Sequence, residues 1–94
     1  MIEGYRDRRT EDFAAGQRIR AFEGIERQAR LKLDRLEAAT SLADLAALPG
    51  NRLERLSGDR AGQWSIRING QWRICFEWHS GESGPIKVEI VDYH

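Results

Sequence analysis

A chain of 94 residues has room for one core and no second domain, and 40% hydrophobic with 32% charged content argues against long disorder. Fifteen basic and fifteen acidic residues cancel, so net charge alone does not point to nucleic acid. No apolar stretch is long enough to span a bilayer or serve as a signal peptide, which predicts a cytoplasmic protein with no membrane partner.

The first half, through Leu48, has helical periodicity; the second half alternates with period two. A short helix is expected over 10–15, capped by Thr10 and closed by Gly16. The main helix is expected over 22–39, because Phe22, Ile25, Ala29, Leu33 and Leu36 fall three or four apart and form one apolar stripe. Ser41 then opens a short turn over 42–45, ended by Pro49-Gly50. Strands follow over 52–56, 63–68, 72–78 and 86–91, the last reached through a polar loop. The class is therefore α+β in a single domain over 1–94.

Parity sets the register of the middle pair. Trp64, Ile66 and Ile68 share one face of the second strand, as Trp72, Ile74 and Phe76 do on the third. A two-residue turn would mix the faces. A three-residue loop, Asn69-Gly70-Gln71, pairs Ile68 with Trp72, Ile66 with Ile74 and Trp64 with Phe76, with Gly70 expected in a left-handed conformation. The aromatic residues of this face are read as core. On the other face the same register sets Arg67 directly opposite Arg73, and Ser65 opposite Cys75. Facing like charges destabilise a sheet, so a nearby acid (Glu77, Glu89 or Asp92) or a bound anion is expected to compensate.

Basic residues are thirteen Arg against Lys32 and Lys87. Arg presents a planar fork that grips phosphate bidentately. Cys75 is the only cysteine, so no internal disulfide forms and it reads as a small sheet residue. His79 and His94 have no metal-ligand spacing, no Gly-rich phosphate loop opens a helix, and no nucleophile elbow surrounds Ser57 or Ser65; neither metal nor cofactor is expected. The terminal Asp92-Tyr93-His94 follows the alternating Ile86, Val88 and Ile90. Tied to the sheet, it would bring a carboxylate, a phenol and an imidazole near Arg67 and Arg73. An imidazole can move a proton and Arg can stabilise charge on phosphate, which are the ingredients of RNA cleavage by ribose 2′-OH attack without a metal.

The runs Asn51 to Phe76, containing Gly58-Asp59-Arg60, Trp64-Ser65-Ile66 and Trp72-Arg73-Ile74, and Val88 to His94, ending in Asp92-Tyr93-His94, resemble the HigB branch of the RelE/ParE toxin superfamily. The likeness covers essentially the whole chain. It implies helices packed on a curved, mainly antiparallel C-terminal sheet. It also implies an endoribonuclease toxin that cleaves mRNA in the 30S A site of the ribosome, inhibits translation and is neutralised by a HigA-like helix-turn-helix antitoxin. Carried over, Arg73 contacts the scissile phosphate, His94 acts as acid or base, and Asp92 and Tyr93 orient it or touch the nucleotide. One position departs: well-known ribonucleases of this family carry a Lys before the Gly-Asp-Arg run, where this chain has Ser57. Arg52, Arg55, Arg60 and Arg67 are the candidate phosphate contacts in its place. The alternative is a non-catalytic toxin like the gyrase poisons of the superfamily, or an antitoxin-binding co-repressor.

Overall fold

A computed structural model of the chain describes residues 1–92; Tyr93 and His94 lie outside the described residues. The apolar stripe organises the helical half. Phe22, Ile25, Ala29, Leu33 and Leu36 are all buried. They belong to two elements where one helix was expected: a 3-10 turn over Arg20–Ile25, then helix α2 over Glu26–Ala38. The joint falls where Gly24 weakens the helix and Ile25 leaves helical geometry at φ −128°.

Helix α1 spans Arg8–Ala14 and begins two residues before the expected position. Asp7, not Thr10, is its cap, its carboxylate accepting the Thr10 amide at 3.1 Å. Thr10 is buried instead, and its hydroxyl accepts the Ile90 amide at 3.1 Å, tying the helix to the sheet. Gly16 closes this helix at φ 103° as its position predicts. Helix α3, Leu42–Ala46, starts at Ser41, whose hydroxyl accepts the Asp44 amide; Asp44 in return accepts the amide and hydroxyl of Thr40 at 2.9 and 2.8 Å.

Strands β1 (Glu54–Arg55), β2 (Trp64–Arg67), β3 (Trp72–Glu77) and β4 (Ile86–Asp92) form an antiparallel sheet in the order β1-β2-β3-β4. The β2–β3 register is the one parity requires: Trp64 pairs with Phe76, Ser65 with Cys75, Ile66 with Ile74 and Arg67 with Arg73. The three-residue loop forms, but Gly70 is not left-handed. Asn69 does the work expected of it: its side-chain oxygen accepts the amides of Gln71 and Trp72, both at 2.8 Å, and closes the turn from the side. β1 is shorter than the expected 52–56, and Arg52, at the expected start, turns into a left-handed conformation at φ 46°.

The sheet also has a partner that period-two alternation did not announce. Tyr5 bridges Val88 in parallel, with Glu3 N–H to Pro85 O at 2.8 Å, Arg6 N–H to Val88 O at 2.9 Å and Val88 N–H to Gly4 O at 3.1 Å. The N-terminal segment thereby covers the edge of β4. Helices pack on one sheet face, burying Phe13, Phe22, Leu36, Leu45, Ile66, Ile74, Phe76, Val88 and Ile90. Each of these large side chains contributes roughly 1.5–3 kcal/mol by leaving water. Phe22 meets Phe13 and Trp72 edge-on at 5.3 and 5.8 Å, so Trp72, like Trp64, packs against the core. Among the described residues no helix is long and apolar enough to cross a membrane.

Candidate functional site

The sheet face turned away from the helices carries Glu54, Ser65, Arg67, Arg73, Cys75 and Glu89, each directly opposite or alternating with another of the set. At its β2–β3 end the two facing arginines open a groove of about 330 Å³, lined by Arg52, Arg67, Asn69, Gly70 and Arg73.

Arg73 is fixed within it. Its Nε donates to the buried Ser65 hydroxyl at 2.8 Å, and one terminal nitrogen donates to the Arg52 carbonyl at 2.8 Å. The same nitrogen lies 3.8 Å from the Glu54 carboxylate. The side chain is only 12% exposed whereas Glu54 is 55% exposed, so this carboxylate is a screened, weak counter-charge. Among the described residues the partners seen for Arg73 are two neutral acceptors and Glu54, where Glu77, Glu89, Asp92 or a bound anion was expected. Glu77, Glu89 and Asp92 are engaged elsewhere. Glu89 takes Arg60 at 2.8 Å and Arg6 at 3.5 Å; Glu77 takes His79 at 3.0 Å, Arg6 at 3.5 Å and Lys87 at 3.6 Å. Desolvation alone would raise the Glu77 carboxyl, but His79 and Lys87 outweigh it and hold it below its ordinary value.

Asp92 pairs across the sheet with Trp72, on the face opposite Arg73, and accepts Gln71 Nε2 at 2.9 Å. Alternation along β4 explains this, since Val91 is the residue opposite Arg73. Tyr93 and His94 fall outside the described residues, and so does their placement against Arg73.

Of the remaining arginines, Arg52 and Arg67 join Arg73 in the groove. Arg60 does not line it: it sits over Glu89 and also donates to Gln63 at 3.0 Å. Arg55 shares a face with Trp64, stacking over its ring at 5.8 Å, away from the groove. Two residues of consequence were missed in the sequence. Ser65 was open to discovery, because the register makes it the diagonal neighbour of Arg73. Asn51 was not; nothing in its neighbourhood marks a fully buried side chain.

Ser57, exposed, precedes the 3-10 turn Gly58–Arg60 and accepts the Arg60 amide through its carbonyl. Cys75, buried in the same face, is pushed up to about 11, chiefly by burial, so its thiol stays neutral and is no nucleophile at pH 7. Among the described residues no three His, Cys, Asp or Glu side chains group as a metal site. The described lining of the groove supplies positive charge and hydrogen-bond donors in a fixed geometry. That arrangement can seat a phosphate and stabilise charge on it, while a proton carrier has to be added.

Residues 5–94 match a family described as the RelE-like toxin of type II toxin-antitoxin system HigB. The chain is 48% identical over 50 residues to Toxin HigB-1 of Vibrio cholerae, covering 53% of each protein. It is 36% identical over 63 residues to Endoribonuclease HigB of Proteus vulgaris, covering 65% of this chain and 66% of that one. It thus spans between about half and two thirds of the length of these relatives. In three dimensions it is similar to a chain of the YoeB-YefM complex from Staphylococcus aureus, with a TM-score of 0.58 and 18% identity over 100% of this chain and 95% of that one, a likeness of fold alone.

Proposed function

The chain belongs to the RelE-like HigB toxins of type II toxin-antitoxin systems, and from that premise we propose that it is an endoribonuclease toxin that cuts mRNA in the ribosomal A site. The observation that carries this reading is the Arg73 guanidinium, held by Ser65 and the Arg52 carbonyl at the floor of a groove shared with Arg52 and Arg67. The naming of the Proteus vulgaris relative as an endoribonuclease supports it.

In this scheme the scissile phosphate sits on Arg73, with Arg67 and Arg52 supplying the charge that Ser57 lacks. The ribose 2′-oxygen bonds to phosphorus while the 5′-oxygen leaves, giving a 2′,3′-cyclic phosphate. His94 takes the 2′-proton or returns one to the leaving oxygen, with Tyr93 and Asp92 orienting it, and no metal enters the scheme. Arg60 and Arg55 brace the scaffold, through Glu89 and Trp64. The ribosome supplies the positioning that a shallow groove lacks. The unit is one toxin domain over 1–94, cytoplasmic, and neutralised by a helix-turn-helix antitoxin; the family's place in a toxin-antitoxin system supports the partner.

Induced expression tests this. Wild type should arrest growth and leave cuts within translated messages. Arg73→Ala and deletion of His94 should each lower cleavage by about 10²-fold or more and relieve the arrest. Undiminished toxicity in both variants, accompanied by altered DNA supercoiling, would remove the ribonuclease reading in favour of a non-catalytic toxin.

A further inference from the structure

We infer that Asn51, held in place by Lys32, is a positioning residue for the Arg73 guanidinium. The chain between α3 and β1 turns through Gly50 at φ 85° and Arg52 at φ 46°. Glycine takes such a conformation freely; an arginine holds it only where its surroundings impose it.

Asn51 imposes it. The residue is fully buried, and every polar atom of its side chain is engaged. Its Oδ1 accepts Lys32 Nζ at 3.0 Å and an Arg35 nitrogen at 3.3 Å, and its Nδ2 donates to the Leu45 carbonyl at 3.1 Å. Lys32 Nζ also donates to the Gly50 carbonyl at 3.0 Å, gripping the loop one residue earlier. The Asn51 carbonyl accepts the Arg67 amide at 2.6 Å, and the next carbonyl, that of Arg52, accepts Arg73. Both facing arginines are thereby referenced to Asn51: Arg67 through its main chain, Arg73 through the adjacent peptide.

A lysine only 7% exposed with neutral acceptors is a costly element of the seam between α2 and the loop that leads to β1. Burial, then the charges of Arg35 and Arg67, lower its pKa. Apolar residues would fill that volume at less cost, so the network specifies a geometry more than it adds stability. The geometry it specifies is the direction of the Arg52 carbonyl. A guanidinium oriented in advance loses less freedom when it meets a phosphate.

The inference rests on the reading of Arg73 as a phosphate contact, and its test separates the two. Binding of a fluorescein-labelled single-stranded RNA 12-mer would be measured by anisotropy for wild type, Asn51→Ala, Lys32→Met, Arg73→Ala and the doubles. Lys32→Met keeps the unbranched apolar stem and carries the test if Asn51→Ala does not fold. Each single variant at 32 or 51 should weaken binding by about 5–10-fold, and by less than about 2-fold when Arg73 is already Ala. Equal losses in both backgrounds, or none in either, would overturn the inference, because a merely structural role adds irrespective of Arg73. The Arg73 Nε–H signal in ¹⁵N NMR gives a readout that needs no RNA. It should shift or broaden in Lys32→Met while the Cys75 and Glu89 amides stay in place; an unmoved Nε–H signal overturns the positioning role. If that signal moves but Arg73→Ala binds RNA as well as wild type, the phosphate reading fails, and the role of Asn51 toward RNA fails with it.

Discussion

In the groove, the fork of Arg73 is committed before any ligand arrives: Nε to Ser65, a terminal nitrogen to the Arg52 carbonyl. A lysine carries the same charge but has no Nε–H, and its point-like ammonium cannot bridge both acceptors while facing outward. Arg73→Lys should therefore resemble Arg73→Ala, with cleavage down by about 10²-fold, in the same growth and RNA-cutting assay. Near wild-type toxicity in that variant would mean that charge alone suffices and the fork is incidental. Cys75 gives the opposite kind of expectation. Its thiol is buried and held neutral, its pKa pushed up to about 11 by burial. Iodoacetamide at pH 7.5 should modify it only as fast as the protein opens, and the modification rate should follow unfolding as denaturant is added. Rapid alkylation of the native protein would contradict its placement between Ser65 and Glu89 in the sheet.

At the scale of elements, the N-terminal segment is the least advertised and among the more consequential. It adds a parallel bridge to β4, the strand that leads to the terminal residues, and Gly84 lies so close that a Cβ there would collide with the Met1 carbonyl. Gly84→Ala should push that segment from β4 and lower stability by about 1–3 kcal/mol, read as a drop in Tm and as faster exchange of the Arg6 and Val88 amides. Helix α3 offers a pH test. Hydrogen bonds from the Thr40 amide and hydroxyl, joined by Ser41, lower the Asp44 carboxyl below its ordinary 3.8. A depressed carboxylate contributes its stability above 3.8 and loses it as pH falls through the folded value. The amide signals of α3 should thus change in acid below 3.8, and Asp44→Asn should remove the transition.

The elements also mark how far the sequence could be read. Alternation of Trp64, Ile66 and Ile68 against Trp72, Ile74 and Phe76 determined the β2–β3 register, because one face had to be buried and a one-residue slip would have exposed it. The helical stripe was legible for the same reason. Boundaries were less so. Thr10 is a good cap by type, but burial against Ile90 claimed its hydroxyl and left the cap to Asp7. The N-terminal bridge was hidden because main-chain pairing at Glu3, Gly4 and Arg6 leaves no side-chain pattern. In the site, parity placed Arg67 and Arg73 together, but it could not show that Glu77 and Glu89 would be drawn off by Arg6, Arg60 and Lys87.

For the molecule as a whole, zero net charge and a basic groove are compatible because the charges are sorted. Glu77 and Glu89 bind the cations of one half of the polar face, while Arg52, Arg67 and Arg73 gather at the other, with Glu54 at their margin. The long-range field that pulls strongly basic proteins onto RNA is then weak, and the groove acts locally. This has a measurable form. Each phosphate neutralised on a single strand contributes about −0.7 to the slope of log K against log salt, so three groove arginines predict a slope near −2. Arg67→Ala should reduce its magnitude by about 0.7, as one lost phosphate contact does. Arg60→Ala should leave the slope nearly unchanged but lower Tm, since that side chain is spent on Glu89 and Gln63. A wild-type slope steeper than about −5 would require at least seven phosphate contacts. RNA would then have to run beyond the groove onto the Arg6–Arg60–Lys87 half, displacing Glu77 and Glu89 from their partners. A slope near −2 would instead leave that half to the scaffold and confine phosphate contact to the three groove arginines.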